Sequence, residues 1–577
     1  MAEGSSARDV LARQSQLETA RQPYESVWRD VAEYCAPDAP EFLRNGFATS
    51  KTDNQVTRTD RRTRRVYDTT VRTGQRRLAA GLESLITPQN DKWQGLTTAA
   101  MNDEETDEEK EWAEKVRDFL FSIRYSPGSG YVPAMQGCYA NIVRFGPAYL
   151  YAEEDFSGRY VRYRSLPVSE CWIARNKWGD VDTLHRRYKR TARVAYQQFG
   201  DKLPAKVIEM AKDPKKCDEQ IEFVHSICPN YDRKTYKRMG QAEFIEGPFK
   251  SVHVVCQDEK IVKEKDFASF PVACFNWGRD DGDDYGTSPV IELLTEVREI
   301  NAVRKGTLRA LQNITDPALA LGGKLDWLPP IDPGSRHPGM IDDNGRLMAQ
   351  PIVTGARPDY AFQYIEQSRN TIQEGLYVNL FQTLVSKPGN QTATEALIRQ
   401  EEKGALLGPA GSSIQGGLAM QTDRELSILE AKGLYEQGSR FAPPPSLSEK
   451  PIRVQFTSPL DILRKAGEAK AVVETWSFAG QMAAIKPEIL DNLDADESLR
   501  VFHGAGRAPQ TILKRREEVE AIRAANAKAA QAQMGMAAAQ QGAAVAADAV
   551  PAMAKAAEAG LLPGLGAANA SESKAVF

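Results

Sequence analysis

"DDYGTSPVIELL", residues 283–294, places two carboxylates and a glycine directly before a firmly specified helix start. Ser288 is a good N-cap, Pro289 suits the first helical position, and Glu292 favours the positive end of the helix dipole. From Pro289 the helical pattern runs to about Ile314 and stops before "TDPA". At 1.5 Å per residue that is on the order of 40 Å, long for a helix inside an ordinary domain. No catalytic motif follows it, so the helix itself becomes the functional candidate.

On a helical wheel, Glu292, Glu296 and Glu299 fall within roughly 60° of one another. Arg298, Lys305 and Arg309 cluster roughly 120° away, and Leu293, Leu294, Val297, Ile300 and Leu308 fill the sector opposite the glutamates. A lone surface helix gains little from such segregation, since mixed signs would support intrahelical pairs. A ring of identical helices gains more, because one edge of each copy could meet the oppositely charged edge of the next in a contact that closes by rotation. An amphipathic helix with accidental charge clustering fits the wheel equally well.

The chain has 577 residues, more than one core usually serves, so several structural regions are expected. Its net charge of -4 argues against gripping nucleic acid over the whole surface, although local basic stripes stay open. Seven cysteines, with no C-x-x-C pair, read as buried or free thiols in a reducing compartment. The start "MAEGSSARDVLARQ" lacks a signal-peptide pattern, and no run of 18 or more apolar residues appears. The expectation is a chain that is cytosolic when made, with no membrane partner.

Residues 5–36 carry apolar positions at helical spacing, and a second helix is expected over Thr69–Leu85. Between them Arg58, Arg61, Arg62, Arg64 and Arg65 crowd together. A contact with phosphate or an acidic partner and a solvated or subunit-facing patch both suit them; without interleaved aromatics the second suits better. The acidic run "NDEETDEEKE" (102–111) leads into a helix through Trp112 and Phe119. From Gly146 to about Asp280, runs such as "AYLYAEED", "RYVRYRSL", "CWIARN", "SVHVVCQ" and "FPVACFNW" read as strands, interrupted by short helices at "TARVAYQQFG" and "LPAKVIEMAKD".

Residues 316–363, rich in Gly and Pro, read as a compact loop or short-strand module. A helix follows from Tyr364 to Leu384, then the polar loop "VSKPGNQ". Thr392 opens a long helix with a Thr392/Glu395 capping box, continuing to about Tyr435 with a kink expected near Pro409. "IRVQFTSPL" is a strand expected to rejoin the earlier sheet domain, Asp461–Met482 is helical, and a last helical unit covers about Pro487–Ala525. The Ala- and Gln-rich tail from Ala527 is either helix that forms on assembly or disordered chain. The fold class is α+β and predominantly helical.

No P-loop, G-x-S-x-G, H-E-x-x-H, zinc-type Cys/His spacing or strand-to-helix G-x-G-x-x-G is present. Asp280, Asp281, Asp283 and Asp284 could bind a divalent ion but lack the calcium-loop pattern; a turn with favourable charge before a helix accounts for them. No enzyme activity, cofactor or metal site is expected. The competing readings are a metal-dependent nucleic-acid-processing enzyme using those aspartates, and an adaptor or scaffold for other proteins that does not touch DNA.

Four stretches in this order resemble the portal, or head-to-tail connector, proteins of short-tailed, T7-like bacteriophages. They are "YDTTVRTGQRRLAAGLESLITPQNDKW" (67–93), "FPVACFNWGRDDGDDYGTSPVIELLTEVREIN" (270–301), "TATEALIRQEEKGALLGP" (392–409) and "VQFTSPLDILRKAGEAKAV" (454–472). The resemblance implies a dodecameric ring at one capsid vertex with double-stranded DNA threading its axis. It divides the chain into an α+β wing region (1–280), a first stem helix (281–315), a clip (316–363) and a second stem helix (364–385). A tunnel loop (386–391), a long kinked wing helix (392–438), a wing return (439–486), a helical crown (487–526) and the tail (527–577, barrel or disordered) complete it. Implied partners are terminase, tail adaptor and tube proteins, capsid and scaffolding proteins and internal core proteins, and the implied location is the virion after assembly in the host cytoplasm. Lys387, Asn390 and Gln391 become tunnel-loop candidates facing DNA. A strongly basic bore would hold DNA where it has to pass, so a few positive rings in a polar lining suit sliding.

Overall fold

A computed structural model describes residues 6–37, 66–97, 106–380, 393–456, 472–499 and 518–533, with short gaps inside these stretches, the longest at 322–335. For 393–406 it describes the backbone alone. The chain forms two units, Met1–Gly506 and Arg507–Phe577. The fold is α+β and predominantly helical.

Two of the first four helices begin at a capping side chain. Ser6 caps α1 (Ala7–Tyr34) by accepting from the Asp9 amide. α2 spans Thr70–Ile86 and leads to β1 (Gln94–Thr97). The acidic run starts α3 (Asp107–Arg124) through a capping box between Thr106 and Glu109, which satisfies two otherwise unpaired amides. Next comes α4 (Tyr131–Phe145), a helix the sequence pattern did not announce.

The strand-rich region folds into two antiparallel sheets. β2 (Pro147–Asp155) and β3 (Tyr160–Leu166) form a hairpin, with β4 (Cys171–Arg175) and β5 (Val181–Thr191) next in the chain. Short α5 (Ala192–Phe199) and α6 (Ala205–Lys212) precede β6 (Gln220–Pro229). A small hairpin of β7 (Thr235–Arg238) and β8 (Gln241–Phe244) leads to β9 (Phe249–Val255), β10 (Lys260–Phe267) and β11 (Val272–Asn276). The orders are β10-β9-β6-β5-β4 in the larger sheet and β11-β2-β3 in the smaller. Phe199, Leu203 and Val207 bury their apolar sides against Tyr188, Phe223 and Val255 of the larger sheet.

The quoted stretch then begins the stem pair. Gly286 takes a left-handed conformation (φ +78°), and a Cβ there would overlap the Gly278 carbonyl oxygen, so the turn requires glycine. Ser288 caps α7 (Pro289–Glu292) by accepting from the Ile291 amide at 3.1 Å, and its hydroxyl donates to the Arg144 carbonyl at 3.0 Å. The helix expected to run unbroken from Pro289 is interrupted at Leu293 (φ −87°, ψ 3°), and α8 covers Leu294–Thr315. β12 (Leu319–Leu321) and β13 (Ala349–Pro351) pair in the 316–357 segment.

The second long helix, expected over Tyr364–Leu384, is α9 over Pro358–Gly375. Pro358 starts it six residues early at a position that needs no amide donor. It is interrupted at Leu376 and Tyr377, where Leu376 and Val378 turn inward against Gly74 of α2, both fully buried, with Tyr377 left-handed (φ 54°) between them; 378–380 are helical again and 381–384 lie outside the described residues. The break at Leu293 has a matching cause. A Cβ on Gly375 would stand 2.8 Å from Leu293 Cδ2, so the two helices approach closely there.

α10 (Ala393–Ala431) is helical throughout, including Pro409. At Gly417 it meets β11 so closely that a Cβ would overlap the Phe275 ring. β14 (Arg453–Phe456) does not rejoin either large sheet; it pairs antiparallel with β1, Gln94 opposite Phe456. Of the expected helix over 461–482, residues 475–483 are helical and 457–471 lie outside the described residues. In the 487–525 unit, Pro487–Asn492 is a 3-10 turn, and in the second unit a helix at 518–533 continues eight residues past the expected end.

Candidate stem interface

Asn301 and Asp68 tie α8 and α9 to the start of α2. Asn301, buried on α8, donates to the Val297 carbonyl at 2.7 Å, and its oxygen accepts from the amides of Tyr67 (2.7 Å) and Asp68 (3.1 Å). Asp68, with a side chain 3% exposed, receives Arg369 of α9 at 2.9 and 3.1 Å and Arg304 of α8 at 3.4 Å. Burial by itself would raise the Asp68 carboxyl. The hydrogen bonds from Thr70 and Arg369 and the Arg369 charge outweigh it and hold the group below its ordinary value. One carboxylate thus joins both stem helices to the start of α2. Nothing in "YDTT" marks this beyond a local cap, which Asp68 also supplies to the Thr70 amide at 2.8 Å.

The six charged stem candidates lie outward or half-outward, and three of them are engaged within the subunit. Arg298 pairs with Asp30 of α1, Glu299 accepts from the Tyr364 hydroxyl at 2.8 Å, and the Lys305 ammonium lies 5.9 Å from the centre of the Tyr67 ring. Glu292, Glu296 and Arg309 make no hydrogen bond or ion pair among the described residues. Of the apolar sector, Leu294, Val297 and Ile300 are buried and Leu293 is half-buried. Leu308 departs from that expectation at 43% exposed, because no part of the described chain covers its side of α8, whereas Thr307 is buried.

That far half is conspicuously apolar. Ile314 is 52% exposed, Tyr360 68% and Phe362 49%, and Leu321 and Ile352 beside β12 and β13 are half bare as well. Single exposed apolar residues need no explanation, but several of them along one two-helix hairpin make a candidate contact surface.

The acidic stretch before the stem builds the turn. Asp283 Oδ1 accepts from the Tyr285 amide at 3.1 Å, and the Asp284 carbonyl accepts from Arg175 at 2.5 and 2.9 Å. Among the described residues no group of three or more His, Cys, Asp or Glu is placed to hold a metal ion, and Asp281 lies outside them. The tunnel-loop candidates Lys387, Asn390 and Gln391 and the arginines 58–65 also lie outside the described residues.

A family model, "Bacteriophage head to tail connecting protein", matches residues 7–513, so it takes in both stem helices, both sheets and the long helix. The chain belongs to that family. It is 28% identical over 556 residues to the portal protein of Salmonella phage epsilon15, covering 94% of this chain and 95% of the relative. It is 26% identical to the probable portal protein of Bordetella phage BPP-1 over 86% of each. Among solved structures, the neck of an empty gene transfer agent particle computed with C6 symmetry aligns at 12% identity and TM-score 0.32, over 74% of this chain and 90% of that one. The neck of the native particle computed with C12 symmetry aligns at 12% identity and TM-score 0.31, over 67% and 83%.

Within this connector, Asp68→Ala is expected to loosen α8 and α9 from the start of α2. Charge-assisted hydrogen bonds to a buried carboxylate are worth about 1.5–3 kcal/mol, discounted here because both arginines reach water. Hydrogen exchange should quicken first at the start of α2 and at the Asn301 and Arg369 turns. Protection unchanged there would show that Asp68 does not fasten the stem.

Proposed function

We propose that this connector is the phage portal, twelve copies of which form a ring at one capsid vertex through which double-stranded DNA enters and leaves. The observation that carries the reading is the bare apolar face along the α8–α9 hairpin in a chain of the head-to-tail connecting family. Neighbouring stems would cover it around a shared axis. Glu292, Glu296 and Arg309 would then meet across the same contact, while Arg298, Glu299 and Lys305 stiffen each stem from within. The wing would be 1–280 with 392–486, the clip the segment after α8, and the crown 487–526. Lys387, repeated by symmetry, would form a positive ring beside Asn390 and Gln391, with a kink at Pro409 bending the long helix toward it.

The reading assigns the chain no catalysis. Energy for DNA movement would come from a separate terminase docking at the clip, replaced after filling by tail adaptor and tube proteins, with capsid, scaffolding and internal core proteins as further contacts. Assembly would take place in the host cytoplasm and the product would reside in the virion.

Leu308→Asp with Ile314→Asp is expected to abolish rings while the subunit stays folded. Each buried side chain contributes ~1.5–3 kcal/mol per interface, and a charge there reverses the sign. Native mass spectrometry and end-on electron micrographs of the purified protein read the outcome. Normal rings from the double variant would remove this surface from the interface. Lys387→Ala should leave rings intact and change packaged DNA length or retention in filled particles; unchanged length and retention would end its assignment.

A further inference from the structure

The larger sheet carries a row of basic side chains straight across its strands. Lys263 on β10, His253 on β9, His225 on β6 and Arg186 on β5 are successive register partners, so their side chains share one face. The two imidazoles stack with centres 3.8 Å apart and planes 10° from parallel. They are 5% and 8% exposed. His225 Nε2 is hydrogen-bonded to Ser251 Oγ at 2.8 Å and His253 Nδ1 to the Tyr188 hydroxyl at 3.3 Å. The second nitrogen of each ring has no hydrogen-bond partner among the described residues.

Over this row lies the β2–β3 hairpin of the smaller sheet. Tyr151 meets the His225 ring edge-on at 6.0 Å, and its register partner Arg164 holds a guanidinium 5.8 Å from the Tyr151 ring centre. On β5, Arg186 and Arg190 lie 4.7 and 5.2 Å from the Tyr188 ring. Of these cations only Arg186 has a carboxylate, Glu170 at 2.7 Å. Arg164, Arg190 and Lys263 have none within ion-pair distance among the described residues. Other nearby charges do not cancel the surplus. Lys265 and Glu154 pair with each other, Arg424 adds a further buried cation, and Glu153 is the one remaining acid acting on Arg164. The cleft is therefore positive and partly buried, and apart from Arg186 its cations have no carboxylate partner among the described residues.

We propose that the cleft between the two sheets binds a phosphate group, gripped by Arg164, Arg186 and Lys263, with the free nitrogens of His225 and His253 as further donors. Guanidinium groups suit the tetrahedral oxygens, and the row places two cations on either side of the imidazole pair. Burial first, then the surrounding cations, keeps both imidazoles neutral, with His253 held down to about 3. A bound dianion reverses that balance. It favours imidazolium, whose two nitrogens are both donors, so anion and proton are taken up together. The slight exposure of the histidines admits a small anion and excludes a duplex from contact with them.

The test is calorimetry on the full chain with inorganic phosphate at about pH 7.5, against chloride at matched ionic strength. Sulfate, which keeps its charge, measures the pH dependence between about pH 7.5 and about pH 5.5. Expected are phosphate binding that chloride does not reproduce and sulfate binding about tenfold or more tighter at the lower pH. Arg164→Ala with Lys263→Ala should weaken both at least about tenfold. Arg164 is exposed and Lys263 half-buried, and a circular dichroism spectrum checks that the variant is folded. The conservative Arg164→Lys should retain part of the affinity. Short duplex DNA that displaces inorganic phosphate would assign the group to a DNA backbone; failure to displace it leaves free phosphate as the ligand. Phosphate no better than chloride, affinity independent of pH, or full binding in the double variant would each overturn the site.

Discussion

Replacing Glu425 with alanine is expected to cost about 3–5 kcal/mol, because it strands a buried arginine. Arg124, at the end of α3, and Glu425, on α10, are both 0% exposed and meet at 2.6 Å. Arg124 also donates to Gln94 of β1 and to Thr422, each at 3.0 Å. Glu425 accepts from the Tyr163 hydroxyl of β3 at 2.6 Å and from Gln421 at 2.8 Å. The guanidinium lies 4.9 Å from the centre of the Trp93 ring. Burial would lower the Arg124 pKa, and the Glu425 charge reverses the shift; without that partner the guanidinium still stays charged, because its ordinary value is so high.

The pair therefore clamps four elements drawn from residues 94 to 425, and removing half of it is far worse than removing all of it. Arg124→Leu with Glu425→Leu should recover most of the loss. Trp93, resting on the clamp, reports the transition in chemical denaturation. A chain this long does not unfold in two states, so the readout is the midpoint of that transition. A midpoint unmoved by Glu425→Ala, or a double variant as damaged as the single one, would dismiss the clamp.

The second large effect is acid lability of the larger sheet. His185, His225 and His253 are buried and neutral; His185 is held down to about 3, burial being the main cause and Arg13 the second. Folded values below the free value of about 6.5 mean that the unfolded chain binds more protons between about pH 6.5 and about pH 3. Stability is then complete above about pH 6.5 and falls on acidification. Each histidine removes ~1.4 kcal/mol per pH unit, and three together ~4. Intrinsic fluorescence against pH in chloride should show a steep, cooperative loss. His253→Phe, which keeps stacking on His225 and Phe199, should flatten the slope by about a third. A slope insensitive to all three histidines would place the acid response elsewhere. Phosphate should shift the loss to lower pH if the cleft binds it.

How much of this was legible depended on whether the deciding contact was local. A cap is a short-range hydrogen bond, so Ser288 starts α7 where the sequence places it; Ser6 and Thr106 cap α1 and α3 in the same way, though the sequence pattern did not single them out. α4 was not announced, and it carries Pro133 and Gly137, residue types that usually break helices. Proline in the first turn gives up an amide that has no helical partner, and Gly137 packs closely on Ser165, where a Cβ would stand 3.2 Å away. β5 was masked by "HRRYKR", where consecutive cations obscure the alternation; Arg186 is buried with Glu170 and Arg187 half-buried with Glu18 and Glu222. On the stem, the wheel separated the buried leucines from the charged edges but could not say that Arg298, Glu299 and Lys305 would be engaged within one subunit.

The residues alone determined the start of α7, which regions alternate as strands, and that four stretches in order resemble a connector. Each of these is set by neighbours a few positions apart or by pattern along the chain. Tertiary structure alone decided that β14 pairs with β1, that the stem helices shorten and break where Leu293 meets Gly375, that Asp68 fastens both of them, and that Arg124 finds Glu425. Those outcomes depend on desolvating charges and closing backbones across hundreds of residues, and no local spacing encodes which distant partner will be there.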